Sequence, residues 1–203
     1  MLHFETVSDR LLEILTGCMR SPALEGFFLA GGTSLALRMG HRISIDIDLF
    51  GSGDVHSPEI LQTLMELGPV MLLKQSPNIR ISSIDGVKVD LVNYGYPLIA
   101  PPDVVEGMRL ISLPDLASMK LNAIAGRGSR KDFIDLFFLL QTFSLDEMLA
   151  FYQAKYSDGN PFLIRKSLSY FDDAEREAMP VMLAPVAWPE IKKTILRSSG
   201  ERV

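Results

Sequence analysis

The chain has very little of what builds disulfide scaffolds and thiol metal centres. Its one cysteine is Cys18. A single cysteine cannot form an internal disulfide, and four-cysteine zinc sites are excluded. Cys18 lies in an apolar helical stretch, where it reads as a small buried hydrophobe rather than a nucleophile. Basic charge is also in deficit, with 20 Lys and Arg against 25 Asp and Glu and a formal net charge of −5. That balance argues against a broadly basic nucleic-acid-binding surface, although it is compatible with a local basic patch. No window approaches the roughly 20 consecutive apolar residues of a membrane span. MLHFETVSDR has no long apolar run behind a basic start, and there is no internal repeat or low-complexity segment. The expectation is a cytoplasmic protein with no signal peptide and no membrane partner.

What is present is an ordinary globular composition, 47% hydrophobic and 22% charged over 203 residues. That is enough for one domain or two small ones. Strand signals are confined to the first half. Gly26 to Ala30 reads as a short buried strand ending at Gly31-Gly32, and Thr33 to Met39 as a short helix closed by Gly40. Ser44 to Phe50 reads as a strand, and Ser57-Pro58-Glu59 opens a helix to about Leu67. Two alternating runs flank Asp85-Gly86, a strong signal for a hairpin with a type I′ turn. After Leu113 the pattern turns helical, with helices expected at about 114–125, 129–142, 144–156, 161–169 and 189–198. The expected fold is α+β: a small mixed β-sheet domain with flanking helices over residues 1–108, followed by a C-terminal helical region over 109–203.

Two acids inside an apolar strand need a reason, because acids are depleted in strands and a buried carboxylate is costly unless it is partnered. Asp46 and Asp48 are two apart, so they project from the same strand face. Carboxylates held that close repel unless a proton or a divalent cation resolves the conflict. Mg²⁺ suits such a pair, since it takes one or two carboxylates plus phosphate and water. Asp90, on the polar face of the second hairpin arm with Lys88, could supply a third oxygen or act as base towards an attacking hydroxyl. Gly31, Gly32 and Thr33 lie between strand and helix, where bare backbone can approach a phosphate and present its N–H groups. Arg42 lies between that helix and the acids, within reach of a phosphate. His41 reads as a turn histidine near that site, or an exposed one.

Gly32-Thr33, an interval of about twelve residues, Asp46-Ile47-Asp48 and the later Asp90 resemble the signature of the nucleotidyltransferase superfamily, which has the DNA polymerase β-like fold. The superfamily's usual residue at Thr33 is Ser, so the hydroxyl is kept. LAGGTSLALRMGHRISIDIDLF and LPDLASMKLNAIAGRGSRKDFIDLFFLL resemble one branch closely, the AbiEii/AbiGii-type toxin family, over about residues 27–140. The resemblance implies that the helical region completes the active site. In it Lys120 contacts the triphosphate, and Asp135 orients Lys120 or the acceptor. Asp132 is a close rival of Asp135 that reads equally as a cap or salt-bridge partner. Arg127, Arg130 and Lys131 precede the next helix, where cations could meet triphosphate or RNA backbone.

The resemblance further implies an enzyme that uses Mg²⁺ (or Mn²⁺) to move a nucleotide from a nucleoside triphosphate to a macromolecular acceptor. That acceptor is RNA, such as a tRNA 3′ end, or protein. It implies the toxin of a toxin–antitoxin or phage-defence pair, with a cognate antitoxin. Asp46, Asp48 and Asp90 are then the metal ligands and catalytic acids with Lys120 and Asp135. Gly31, Gly32, Thr33, Arg42 and Lys120 are the nucleotide-binding residues. Two alternatives stand beside this reading: a catalytically silent nucleotide-binding or antitoxin-interacting protein, and a nucleotidyltransferase acting on a small molecule of the aminoglycoside type.

Overall fold

The structure, a computed structural model, describes residues 1–200 and divides into two compact units. The first comprises residues 1–95 and 102–111, the second residues 96–101 and 112 onward. A single cut after residue 108 therefore does not follow the chain. The loop at 96–101 joins the helices, whereas 102–111 returns to the sheet.

The first unit is a seven-stranded mixed sheet. Its strands are β1 (Phe27–Leu29), β2 (Asp46–Gly51), β3 (Val70–Ser76), β4 (Ile79–Ile84), β5 (Val87–Asn93), β6 (Asp103–Val105) and β7 (Met108–Leu110), in the order β3-β4-β5-β2-β1-β7-β6. The β4–β5 hairpin turns at Asp85 and Gly86, with φ of 49° and 85°. Both values are left-handed, as a type I′ turn requires. β2 pairs with β5 in parallel and with β1 in antiparallel fashion. β6 and β7 are three-residue strands, too short to leave a readable alternation in the sequence.

Alternation then sorts the two faces. Ile47, Leu49, Val89 and Leu91 point to one side, with Phe27, Leu29 and Leu110. That side forms the core with α1 (Asp9–Arg20) and α3 (Pro58–Glu66), through Leu11, Ile14, Leu15, Ile60 and Leu64. Cys18 is in this core with no exposed surface, and burial pushes its thiol up to about 12. Each buried aliphatic side chain here contributes about 1.5–3 kcal/mol. The opposite face carries Asp46, Asp48, Lys88 and Asp90. α2 (Gly31–Met39) connects β1 to the segment leading into β2 and ends at Gly40, whose φ is 64°. It begins two residues earlier than the sequence suggests, so the glycine pair lies in its first turn.

The second unit is helical: α4 (Leu113–Gly126), α5 (Arg130–Leu139), α6 (Leu145–Lys155), α7 (Pro161–Ser167), the single turn α8 (Asp172–Glu175) and α9 (Trp188–Ser199). Ser112 caps α4 by accepting from the Asp115 N–H, and Ser144 and Glu147 form a reciprocal capping box on α6. Asp115 and Lys155 are fully buried and paired at 2.6 Å. The Asp115 carboxylate also accepts from the Ile99 and Ala100 N–H groups, and Lys155 donates to the Pro97 carbonyl at 2.8 Å. These bonds tie the 96–101 loop to the helices. Among the described residues no helix is long and apolar enough to cross a membrane.

Candidate active site

The acids lie on the sheet face opposite the core, and strand register puts them together. In the parallel β2–β5 ladder Asp46 is opposite Lys88 and Asp48 opposite Asp90. Paired residues in a ladder project to the same side, so these four side chains form a two-by-two block. Three are carboxylates and one an ammonium. Lys88 Nζ donates to Asp90 Oδ2 at 2.7 Å. Burial alone would lower the Lys88 pKa. The bond to Asp90 and the charges of Asp90, Asp48 and Asp46 outweigh it and hold the ammonium above its ordinary value.

The glycine turn meets this block directly. Gly31 has φ 64°, and a Cβ built on it would fall 2.0 Å from Asp48 Oδ2 and 2.7 Å from its Cγ. The Asp48 carboxylate therefore occupies the volume that any side chain at residue 31 would fill. The Ala30 N–H donates to the Asp48 carbonyl at 2.8 Å, so β1 and β2 are locked in register where α2 begins. The first-turn amides of α2 are not used by intrahelical bonds, and the positive end of the helix lies there.

Thr33 is fully buried, its hydroxyl 2.8 Å from Ser44 Oγ and donating to the Asp46 carbonyl. The hydroxyl fastens the start of β2 to α2, a role for which a serine hydroxyl is also chemically suited. Arg42 is 3% exposed, and one guanidinium nitrogen donates to the Ile43 carbonyl at 3.1 Å. His41, expected in a turn by the phosphate or exposed, has no exposed surface. The loop after α2 folds it inward.

In the helical unit Lys120 is the centre of a buried ion cluster. Its Nζ lies 3.0 Å from Asp132 Oδ1 and 2.7 Å from Asp135 Oδ2. Asp132 and Asp135 are both fully buried on one face of α5. Asp132 also accepts from Arg127 Nε at 2.9 Å and from Ser129 Oγ at 2.6 Å. Burial would raise the Asp132 carboxyl, but the Lys120 charge and the Arg127 and Ser129 hydrogen bonds hold it well below the usual carboxylate range. Both rivals thus pair with Lys120. Arg130 is engaged with the Ala174 and Glu175 carbonyls and stacks 4.8 Å over the Trp188 ring.

Whether the acids suit a divalent cation is decided by the chemistry of their donors. Among the described residues no three His, Cys, Asp or Glu side chains are grouped as a metal-holding set, so Asp46, Asp48 and Asp90 do not form a ready three-acid cage. Asp90 Oδ1, however, is buried without a hydrogen-bond partner. An orphaned carboxylate oxygen is expensive to keep, and a cation is one group that would satisfy it. All the donors are hard oxygens, so the set fits Mg²⁺ or Mn²⁺. Lys88 is the resident of this face that sequence reasoning placed beside Asp90 but gave no role. Its signal was the alternation of Lys88 with Asp90.

The chain is 38% identical over 181 residues to an uncharacterised protein of Aquifex aeolicus, covering 86% of this chain and 87% of that one. The fold is similar to the crystal structure of JHP933 from Helicobacter pylori, with TM-score 0.60 and 18% identity over 94% of this chain and 88% of that one. It is also similar to the solution structure of the antibiotic-resistance factor ANT(2'')-Ia, with TM-score 0.56 and 16% identity over 72% and 92% of the two chains. The family model described as nucleotidyl transferase AbiEii toxin, type IV TA system, matches residues 13–201. That match runs over most of the chain, which belongs to the AbiEii family of nucleotidyltransferase toxins.

Proposed function

We propose that the protein transfers a nucleotide from a nucleoside triphosphate to an RNA acceptor, such as a tRNA 3′ end, or to a protein. It does so with Mg²⁺ or Mn²⁺, as the toxin partner of a cognate antitoxin in the cytoplasm. The observation that carries this reading is the contact of Gly31 with the Asp48 carboxylate, beside the register pair Asp48–Asp90. One turn brings a helix N-terminus and metal-suited oxygens to the same place. The first-turn amides of Gly31, Gly32 and Thr33 receive the phosphates, and Arg42 adds positive charge. A divalent ion at Asp46, Asp48 and Asp90 neutralises triphosphate charge when bound. The acceptor hydroxyl attacks the α-phosphorus, the bond to the bridging α–β oxygen breaks, and pyrophosphate leaves. The hydroxyl proton passes to solvent or to Asp90, which in this reading either completes the metal site or assists the deprotonation. For Lys120 and Asp135 we propose the roles the resemblance implies, a triphosphate contact and the group that orients it. The 2.7 Å ion pair between them supports the second.

The test is to incubate the purified protein with each α-labelled nucleoside triphosphate, Mg²⁺, and either total RNA or a cell extract. Label is expected in RNA or protein with one nucleotide favoured, and EDTA is expected to abolish it. Label in a small-molecule acceptor alone would overturn the choice of acceptor. Nucleotide binding without any transfer would overturn the enzymatic reading.

A further inference from the structure

We propose that a cleft in the helical unit holds an unpaired nucleotide of the acceptor RNA, which makes RNA rather than protein the acceptor. The proposal rests on the transferase reading above, because it supplies that reaction's second substrate. The cleft has a volume of about 430 Å³, and all its walls belong to the second unit. Small-ligand sites span roughly 300–1,000 Å³. Three kinds of chemistry line it. Arg127 and Lys166 are cations, Tyr170 is an aromatic ring, and the last turn of α4 brings the backbone of Ile124, Ala125 and Gly126. These match the parts of a nucleotide: phosphate for the cations, the π-face of a base for the ring, and its amino edge for the backbone carbonyls.

Tyr170 is 55% exposed, whereas its neighbour Phe171 turns inward and packs on Phe133 at 4.8 Å. The inward ring anchors the backbone from which Tyr170 projects. Phe162 and Leu163 of α7 are 71% and 55% exposed, apolar surface for the next base of a strand. Lys166 is exposed and forms no ion pair among the described residues. Carbonyls in the last turn of a helix lack intrahelical donors, and among the described residues no backbone N–H reaches those of Ile124, Ala125 or Gly126. Asp173, the one acid on the lining, is a further acceptor. These acceptors, at the negative end of a helix, disfavour a bare anion or an acidic peptide and suit a ligand that brings donors with its phosphate. Arg127 links the cleft to the ion cluster. Its Nε and one Nη donate to Asp132 at 2.9 and 3.2 Å, and Asp132 pairs with Lys120. The acceptor is thus held beside the lysine for which we propose the triphosphate contact.

The experiment follows the fluorescence anisotropy of labelled oligocytidylate and oligouridylate RNA, about six nucleotides long, titrated with the full-length protein. Oligocytidylate is expected to bind at least about threefold more tightly, because cytosine offers an amino donor where uracil has a carbonyl. Tyr170→Ala is expected to weaken binding at least about fivefold, and Tyr170→Phe, which keeps the ring, to bind as the native chain does. Lys166→Met is expected to lower the slope of log affinity against log salt by about 0.7, one phosphate contact on a single strand. Both side chains are exposed, so native melting curves are expected for all three variants. No RNA binding by the native chain would overturn the proposal, as would equal binding of the two oligomers or unchanged binding in Tyr170→Ala. Full displacement of the RNA by an equal concentration of free cytidine triphosphate would overturn it too, by making the cleft a site for the nucleotide donor. So would label transferred to protein alone. RNA binding that depends on Tyr170, with no label transferred to any acceptor, would overturn instead the transferase reading on which the proposal rests.

Discussion

Replacing Gly31 by alanine probes the contact between the helix turn and the acid. The backbone there has φ 64°, which costs an L-residue about 1–2 kcal/mol. The new methyl would fall 2.0 Å from Asp48 Oδ2, 2.7 Å from Cγ and 3.0 Å from Cβ. Rotating the carboxylate removes the first two clashes, but not the third, which requires β2 to move as well. The strand cannot yield freely, because Thr33 and the Ala30 N–H bind it on either side of Asp48. The total loss is about 2–4 kcal/mol, the backbone term plus about 1–2 kcal/mol for overpacking. At this chain length that corresponds to roughly 4–16 °C in Tm. Urea unfolding and Mn²⁺ titration read the two consequences separately. Lower stability with Mn²⁺ binding weakened by at least about tenfold is expected. Gly95→Ala, at a position with open space around it, is expected to stay within about 0.5 kcal/mol of the parent. A Gly31→Ala protein as stable as that control, with native Mn²⁺ affinity, would refute the reasoning.

Thr33→Ser retains the bonds to Ser44 and the Asp46 carbonyl and is expected to keep stability and activity, whereas Thr33→Val strands both partners and is expected to lose about 1–3 kcal/mol in chemical unfolding. Lys120→Met leaves Asp132 and Asp135 buried together without their shared cation, so a loss of about 3–5 kcal/mol is expected by urea denaturation; unchanged stability would mean the ion cluster is not structural. The Asp132 carboxyl is depressed in the folded state, so its contribution is full above the ordinary carboxylate range near pH 4 and is lost as pH falls below it. Asp132→Asn is therefore expected to flatten the acid limb of a stability–pH curve measured between about pH 5 and pH 2.

Much of this was legible in the sequence because it depends on local rules. Alternation marked β2 and β5, Asp85-Gly86 marked the hairpin, Ser57-Pro58 marked the start of α3, and the change of pattern after Leu113 marked that of α4 to within a residue or two. The pairing of Asp48 with Asp90 was not legible, because the parallel β2–β5 register is a long-range fact that no local pattern encodes. Lys88 was seen on the same face as Asp90 but looked like ordinary hairpin polarity until β2 was laid beside it. Thr33 read as part of the turn that approaches a phosphate. Its actual partners, Ser44 and the Asp46 carbonyl, lie 11 and 13 residues away. The Asp115–Lys155 pair left only a faint trace, a lysine at the end of an apolar helix and an acid at a helix start. Arg109 went unnoticed too, although its guanidinium binds the Met19, Leu24 and Phe27 carbonyls. Arginines that collect backbone carbonyls have no sequence signature.

The most direct measurement is the initial rate of label transfer from the favoured α-labelled nucleoside triphosphate, compared between the native chain and Asp48→Asn at equal concentration and verified fold. Asparagine preserves the shape against Gly31 but removes the charge. A rate lowered by about a hundred- to a thousandfold, with Mn²⁺ binding lost in parallel, is the expected result, on the scale seen when a preorganised electrostatic group is deleted. Transfer by Asp48→Asn within about threefold of the native rate would contradict the assignment of the chemistry to this sheet face.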